Sequence, residues 1–151
     1  MTDDTTNTRL TMAILTEAGI LAQLSRAWIE AASPDGLSMP QFTVLLHLSR
    51  MGVKQTPLQL AHAFQLPKTT VTHTVATLEK KGFITLEPNP EDGRSKLVVL
   101  TTSGANAMQG TMETVGGVVA GLVGDLNSDD LGQTLDQISQ LRERFDRNRP
   151  D

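Results

Sequence analysis

Two short runs of residues could do chemistry. The first, "PKTTVTHT" from Pro67 to Thr74, sets a lysine ahead of a cluster of threonines and a histidine. The second, "EDGRSK" from Glu91 to Lys96, sets an arginine and a lysine just beyond an Asp-Gly turn. Hydroxyls, an imidazole and long cationic side chains hydrogen-bond phosphate oxygens and base edges. Nothing in either run is arranged for turnover. The chain has no cysteine, which removes thiolate nucleophiles, disulfides and most structural zinc sites. His47, His62 and His73 have neither an i+4 histidine partner nor an HExxH setting, so no metal is expected, and no other cofactor. With no nucleophile-base constellation and no phosphate-cradling glycine motif, enzyme chemistry is not expected either.

Both runs need rigid supports, and the flanking sequence supplies them. "SMPQ" is a capping box, with Ser38 as cap and Gln41 as return partner, and it opens a helix that buries Phe42, Leu45, Leu46 and Leu48 before stopping near Gly52. "TPLQ" repeats the device, with Thr56 as cap and Pro57 at the first helical position, for a short helix from Pro57 to Phe64. After a tight "QLPK" connection, Val71, Val75 and Leu78 fall three and four apart on one face of a further helix that Gly82 ends. Thr69, His73, Ala76, Thr77 and Lys80 are left on the opposite face, with Thr70 and Thr72 at its flanks. Five threonines between Thr69 and Thr77 cost helix stability. A helix that must approach a groove closely accounts for them, and so does an exposed helix held by tertiary packing. "FITL" and "KLVVL" then flank "EPNPEDGRS" as a β-hairpin in which Asp92 and Gly93 turn the chain and Arg94 and Lys96 stand near the tip.

A short capped helix, a tight turn, a second helix with a polar outer face and a hairpin with a basic tip make a winged helix-turn-helix. The expected fold is mainly α with a small β-wing, in a single domain. Its winged helix-turn-helix lobe covers residues 37–101, flanked by dimerisation helices at 8–32 and 102–147. Leu10, Ala13, Ile14, Ile20, Leu21, Leu24 and Trp28 lie near a helical period in the first of these. In the second, Ala105, Met108, Met112, Val115, Val119 and Leu122 form a stripe, and Ser128 opens a last helix with Leu131, Leu135, Ile138, Leu141 and Phe145. Such stripes suit partner helices or an intramolecular core. Gly110, Gly116, Gly117, Gly121 and Gly124 are unusual inside a helix, where they permit either close approach or bending.

Charge points the same way. The net charge is −4, yet the stretch from Lys54 to Lys96 carries six Lys and Arg against four acids. A basic middle between acidic flanks is the footprint of a domain that meets an anion through its centre. No apolar run approaches a membrane span, and "MTDDTTNTRL" lacks the order of a signal peptide, so a cytoplasmic protein without membrane contact is expected.

The segments "LSMPQFTVLLHL", "TPLQLAHAFQLPKTTVTHTVATLEKKGFI" and "NPEDGRSKLVVLTTSG", in that order and spacing, resemble the MarR family of bacterial transcriptional regulators over residues 37–104. The resemblance implies a DNA-binding regulator, commonly a repressor, that acts as a homodimer on a palindromic operator. It makes Arg94 a wing arginine that enters the minor groove, Asp92 the carboxylate that orients its guanidinium, and Lys96 a phosphate contact. It puts Lys68, Thr69, Thr70, Thr72, His73 and Thr77 on the recognition helix. Two departures stand out: the family often has arginine at the position of His73, and a basic residue just after "GFI", where this chain has Thr85, Leu86 and Glu87. Fewer cations release fewer counterions, so a shallow salt dependence is expected. The resemblance also implies a small, often aromatic, effector between the dimerisation helices and the DNA-binding lobe. Trp28, Phe42, His47 and Met51 are candidates for lining its pocket, although residues of these types at helical spacing more often pack a core. A winged-helix module that binds protein instead of DNA is the alternative reading.

Overall fold

The computed structural model describes residues 2–150. Among them the elements run α1 (Thr2–Ala32), α2 (Met39–Met51), α3 (Pro57–Phe64), α4 (Lys68–Lys80), β1 (Ile84–Pro88), β2 (Lys96–Leu100), α5 (Thr102–Val123) and α6 (Ser128–Arg147). The architecture is the expected one, mainly helical with a two-stranded antiparallel wing. Two compact units divide the chain, residues 1–115 and 116–151, with the boundary inside α5.

The first unit is built around a core to which α2, α3, α4 and the sheet all contribute. Leu45, Leu60, Leu78 and Val98, one from each of these elements, are wholly inaccessible to solvent. Each such side chain stabilises the fold by about 1.5 to 3 kcal/mol relative to an exposed one. The wing is tied to this core through its backbone as well. Val98 N–H donates to the carbonyl of Gln55 at 2.8 Å, so the segment just before α3 forms an isolated bridge to β2.

Both capping boxes position helices of this lobe. At α3 the box is complete: Gln59 N–H reaches the Thr56 hydroxyl at 3.2 Å and Thr56 N–H reaches Gln59 Oε1 at 2.8 Å. At α2 only half of it forms. Gln41 Oε1 accepts from Ser38 N–H at 3.1 Å, while the Ser38 hydroxyl makes no cap bond. A further acceptor for that end is supplied from α1, where the Glu30 carboxylate accepts Met39 N–H at 3.0 Å and Arg26 Nε at 3.2 Å.

The join between wing and α5 explains a glycine. Thr101 donates its hydroxyl to the carbonyl of Gly82 at 2.8 Å and accepts Gly104 N–H at 3.0 Å, which caps α5. This seats Gly104 directly on the strand entry, and a Cβ there would lie 2.0 Å from the carbonyl oxygen of Phe83.

One boundary and one cap differ from the sequence reading. α1 begins at Thr2, six residues before Thr8, and it leaves Leu10, Ile14, Ile20, Leu21, Leu24 and Trp28 exposed. α6 is capped by Asn127, whose side chain accepts the N–H groups of Asp129 and Asp130; Ser128 is the first helical residue. None of the residues of α6 is buried. Along α5, a Cβ added at Gly110, Gly116, Gly117 or Gly121 would meet nothing within 4 Å. Close approach to other parts of this chain is therefore not what those glycines serve.

Candidate nucleic-acid interface

The helix-turn-helix begins with a conformation that few side chains adopt. α3 ends at Gln65, whose φ of +53° is the one positive value at a non-glycine position among the described residues. Its N–H and that of Leu66 turn back onto the carbonyls of His62 and Ala61 at 3.3 and 3.0 Å. The chain passes through Leu66 and Pro67 directly into α4. Pro67 brings no side-chain cap and the first turn of α4 holds no acid, so the helix N-terminus presents its dipole to any approaching anion.

α4 buries Val71, Val75 and Leu78, and also Thr74, whose hydroxyl is satisfied by the carbonyl of Thr70 at 3.0 Å. The ridge opposite is Thr69, His73, Ala76 and Lys80, at spacings of four, three and four, all exposed. Lys68, Thr70 and Thr72 are exposed beside it, and Thr72 donates its hydroxyl to the carbonyl of Lys68 at 2.8 Å. Thr77 departs from its expected place. It is half-buried, its hydroxyl accepts Gln41 Nε2 from α2 at 3.1 Å and donates to the carbonyl of Thr74 at 2.8 Å. The outer ridge passes it by because position 77 lies on the flank that packs toward α2.

The wing pairs Ile84 with Leu100 through to Pro88 with Lys96. Its tip, residues 89–95, is braced from within. Asn89 Nδ2 donates to the Ser95 hydroxyl at 2.8 Å, Asn89 Oδ1 accepts Glu91 N–H at 3.1 Å, and Ser95 N–H reaches the carbonyl of Asp92 at 3.0 Å. The Asp92 carboxylate accepts the backbone N–H of Arg94 at 3.0 Å. It shapes the turn, as a short acid two residues upstream commonly does, and no ion pair joins it to the Arg94 guanidinium among the described residues. Arg94 and Lys96 are exposed and have no ion-pair partner among the described residues.

α4 and the wing face each other across a groove of about 710 Å³ that the start of α3 also lines. Lys68, Thr72 and Ala76 line it from the helix, and Asp92, Arg94 and Lys96 from the wing. Thr56, Pro57 and Gln59 of the α3 cap and Asn89 and Ser95 of the wing join them. The sequence reading gave these five no part in a site, although the capping box and the "PNP" turn marked their local structure. The groove has cations on both walls, with Glu79 and Asp92 as its acids.

Not every cation of the basic middle is available. Lys54 pairs with Glu87 at the base of the wing. Lys81 donates to the carbonyls of Asp35 and Gly36 at 3.2 and 3.0 Å and lies 5.9 Å from the Phe83 ring centroid. Lys68, Lys80, Arg94 and Lys96 on the α4 and wing side are exposed and have no ion-pair partner among the described residues.

The four residues proposed for an effector pocket are dispersed. Phe42 belongs to the core, Met51 and Trp28 are exposed, and half-buried His47 bonds Gln55 Oε1 at 2.8 Å and meets the Phe64 ring edge-on at 5.0 Å. None of the four lines the groove or the smaller pocket beside it. That pocket, of about 250 Å³, is walled by Met39, Val44, Phe64, Leu66 and Val71, with Arg26, Thr43 and Thr74 as its polar members.

Known proteins match this geometry. Residues 37–96 fit the model of the MarR family. The transcriptional activatory protein BadR of Rhodopseudomonas palustris is 24% identical over 127 residues, covering 82% of this chain and 73% of that protein. Among solved structures, apo MarR from E. coli is 25% identical with a TM-score of 0.71, covering 83% of this chain and 94% of that one. A cysteine-to-serine mutant of the same regulator, complexed with operator DNA, is 24% identical with a TM-score of 0.73, covering 87% and 94%. BldR from Sulfolobus solfataricus shares the fold at 20% identity with a TM-score of 0.72, covering 86% and 94%. With the capped helices, the turn and the wing in the family's order, the chain matches the MarR family model over residues 37–96 and shares the winged-helix fold of the family's solved transcriptional regulators.

Proposed function

We propose that this protein binds double-stranded DNA as a homodimer, seating α4 in a major groove and Arg94 in the adjoining minor groove, on a two-fold symmetric operator in the cytoplasm. The observation that carries the reading is the groove between α4 and the wing, with Lys68 on one wall and Arg94 and Lys96 on the other. A duplex offers an anionic strand of matching shape, and a narrow minor groove concentrates the potential that draws an unpaired arginine. The complex of the E. coli relative with operator DNA supports the same partner.

The dimer follows from apolar surface that the single chain leaves uncovered. α1 exposes Leu10, Leu21, Leu24 and Trp28, α5 exposes Met112 and Leu122, and α6 exposes Leu131, Leu135 and Phe145. Monomeric proteins rarely leave so many large apolar side chains in water, and a second copy covers them by symmetry. A two-fold axis sets the two copies of α4 about one DNA turn apart, roughly 34 to 36 Å, and selects palindromic sites. Bound over a promoter, such a dimer represses. A small, largely apolar effector in the pocket beside Phe64, Leu66 and Val71 would bear on both the helix-turn-helix turn and the inner face of α4. Binding there changes DNA affinity to the extent that the ligand prefers one position of that helix.

Hydroxyl-radical footprinting on a duplex selected by the protein tests the reading. Two protected patches about one helical turn apart, related by symmetry, are expected. A single patch, or none at low salt, contradicts it and favours the protein-binding alternative, which the small number of unpaired cations would suit.

A further inference from the structure

We infer that His73 is the side chain that sets this protein's base preference, by donating a hydrogen bond to a purine N7 in each half-site; the inference rests on the DNA-binding reading above. The argument starts from what the outer ridge of α4 can offer a base edge. Thr69, His73, Ala76 and Lys80 form that ridge, and His73 stands near its middle, where a helix enters a groove most deeply. The ridge has no arginine, asparagine or glutamine, and its one lysine, Lys80, lies in the last turn of the helix.

The threonines are weaker readers than their number suggests. Thr72, Thr74 and Thr77 each donate their hydroxyl proton to a carbonyl of α4 itself. Thr74 is moreover buried, and Thr77 is held by Gln41. Thr69 and Thr70 keep their hydroxyls, but a rotating hydroxyl both donates and accepts and so satisfies more than one base edge. Ala76 offers a methyl group, and Lys80 in the last turn carries a mobile point charge suited to phosphate. The imidazole of His73 is the planar, directional donor that remains. Both purines present N7 as an acceptor in the major groove, whereas cytosine presents an amino donor and thymine a methyl group beside its carbonyl. A single N–H aimed at that edge therefore favours a purine at one position per half-site, opposed by the amino donor of cytosine and hindered by the methyl group of thymine, and the rest of the selectivity falls to groove width at the wing.

The experiment is selection from a random-sequence duplex library by the full-length protein and by His73→Ala, followed by anisotropy titrations on the recovered duplex. Wild type is expected to recover a symmetric motif with one strongly purine-biased position in each half, and His73→Ala the same motif without that bias. A 7-deazapurine at the biased position should weaken wild type about fivefold to tenfold, the scale of one lost hydrogen bond, and leave His73→Ala unchanged. The inference is overturned if His73→Ala keeps the bias, if it loses affinity equally at every position as a phosphate contact would, or if the 7-deazapurine is silent with wild type. The last arm decides the matter even if the variant fails to fold. Failure of wild type to bind any duplex is a different result, which removes the DNA-binding reading itself.

Discussion

Thr69 and Thr77 are the same residue type on one helix, and their surroundings give them different roles. The hydroxyl of Thr77 is bonded at both ends, to Gln41 and to the carbonyl of Thr74, while Thr69 faces solvent on the outer ridge. Thr77→Val is therefore expected to cost about 1 kcal/mol of stability, the usual value of a hydrogen bond lost from a half-buried group, with DNA affinity unchanged. Urea denaturation and anisotropy on the same preparation check both halves, and a weakened DNA complex without loss of stability would return Thr77 to the interface. Gly104 carries the largest single-residue prediction. A methyl group 2.0 Å from the Phe83 carbonyl oxygen meets backbone, which cannot step aside as a flexible side chain can. Gly104→Ala should lower stability by about 3 kcal/mol, at the upper end of overpacking costs, read as a fall in Tm. An unchanged Tm would mean that the wing and α5 do not join as described.

At the scale of elements, the N-terminus of α2 depends on a carboxylate borrowed from α1. The Met39 N–H, with help from Arg26, holds the Glu30 carboxyl below its ordinary value of 4.5. A depressed carboxyl contributes stability that is complete above its unfolded value and is lost as pH falls through the folded one. Wild type should thus exceed Glu30→Gln in Tm near neutral pH, with the difference closing on acidification below about pH 4.5. A difference independent of pH would show that the charge has no part in the cap. Elements of this kind were largely legible in the sequence, because capping boxes, helix-stop glycines and an Asp-Gly turn act over a few residues. What escaped was set by distant partners. Thr74 looked polar and is buried; Lys54 and Lys81 counted toward the basic middle, and their partners lie 33 and 46 residues away. Asp92 was read correctly as a turn residue from its neighbours, and its carboxylate accepts the backbone N–H of Arg94. The recognition ridge was legible to the extent that a period of 3.6 defines a face, and Thr77 lay on its margin.

For the whole molecule, the proposed dimer would cover the exposed apolar side chains of α1, α5 and α6. Charge placed in them, as in Leu24→Glu, should shift the protein from dimer to monomer in sedimentation velocity and weaken operator binding together. The α4 and wing surfaces would remain intact in each copy. A dimer of undiminished stability would assign those stripes to another partner. On the proposed reading, a net charge of −4 with Lys68, Arg94 and Lys96 as the groove's cations predicts that few contacts hold DNA. The salt dependence of binding reads this most directly, as the slope of log affinity against log salt for wild type and Arg94→Ala on one selected duplex. Each neutralised phosphate contributes about 0.9 to that slope, and a symmetric dimer loses the arginine twice. The variant should therefore bind more weakly by on the order of 1 to 3 kcal/mol, with a slope shallower by between one and two. Equal affinities and equal slopes would contradict the account, since the wing would then make no contact with DNA.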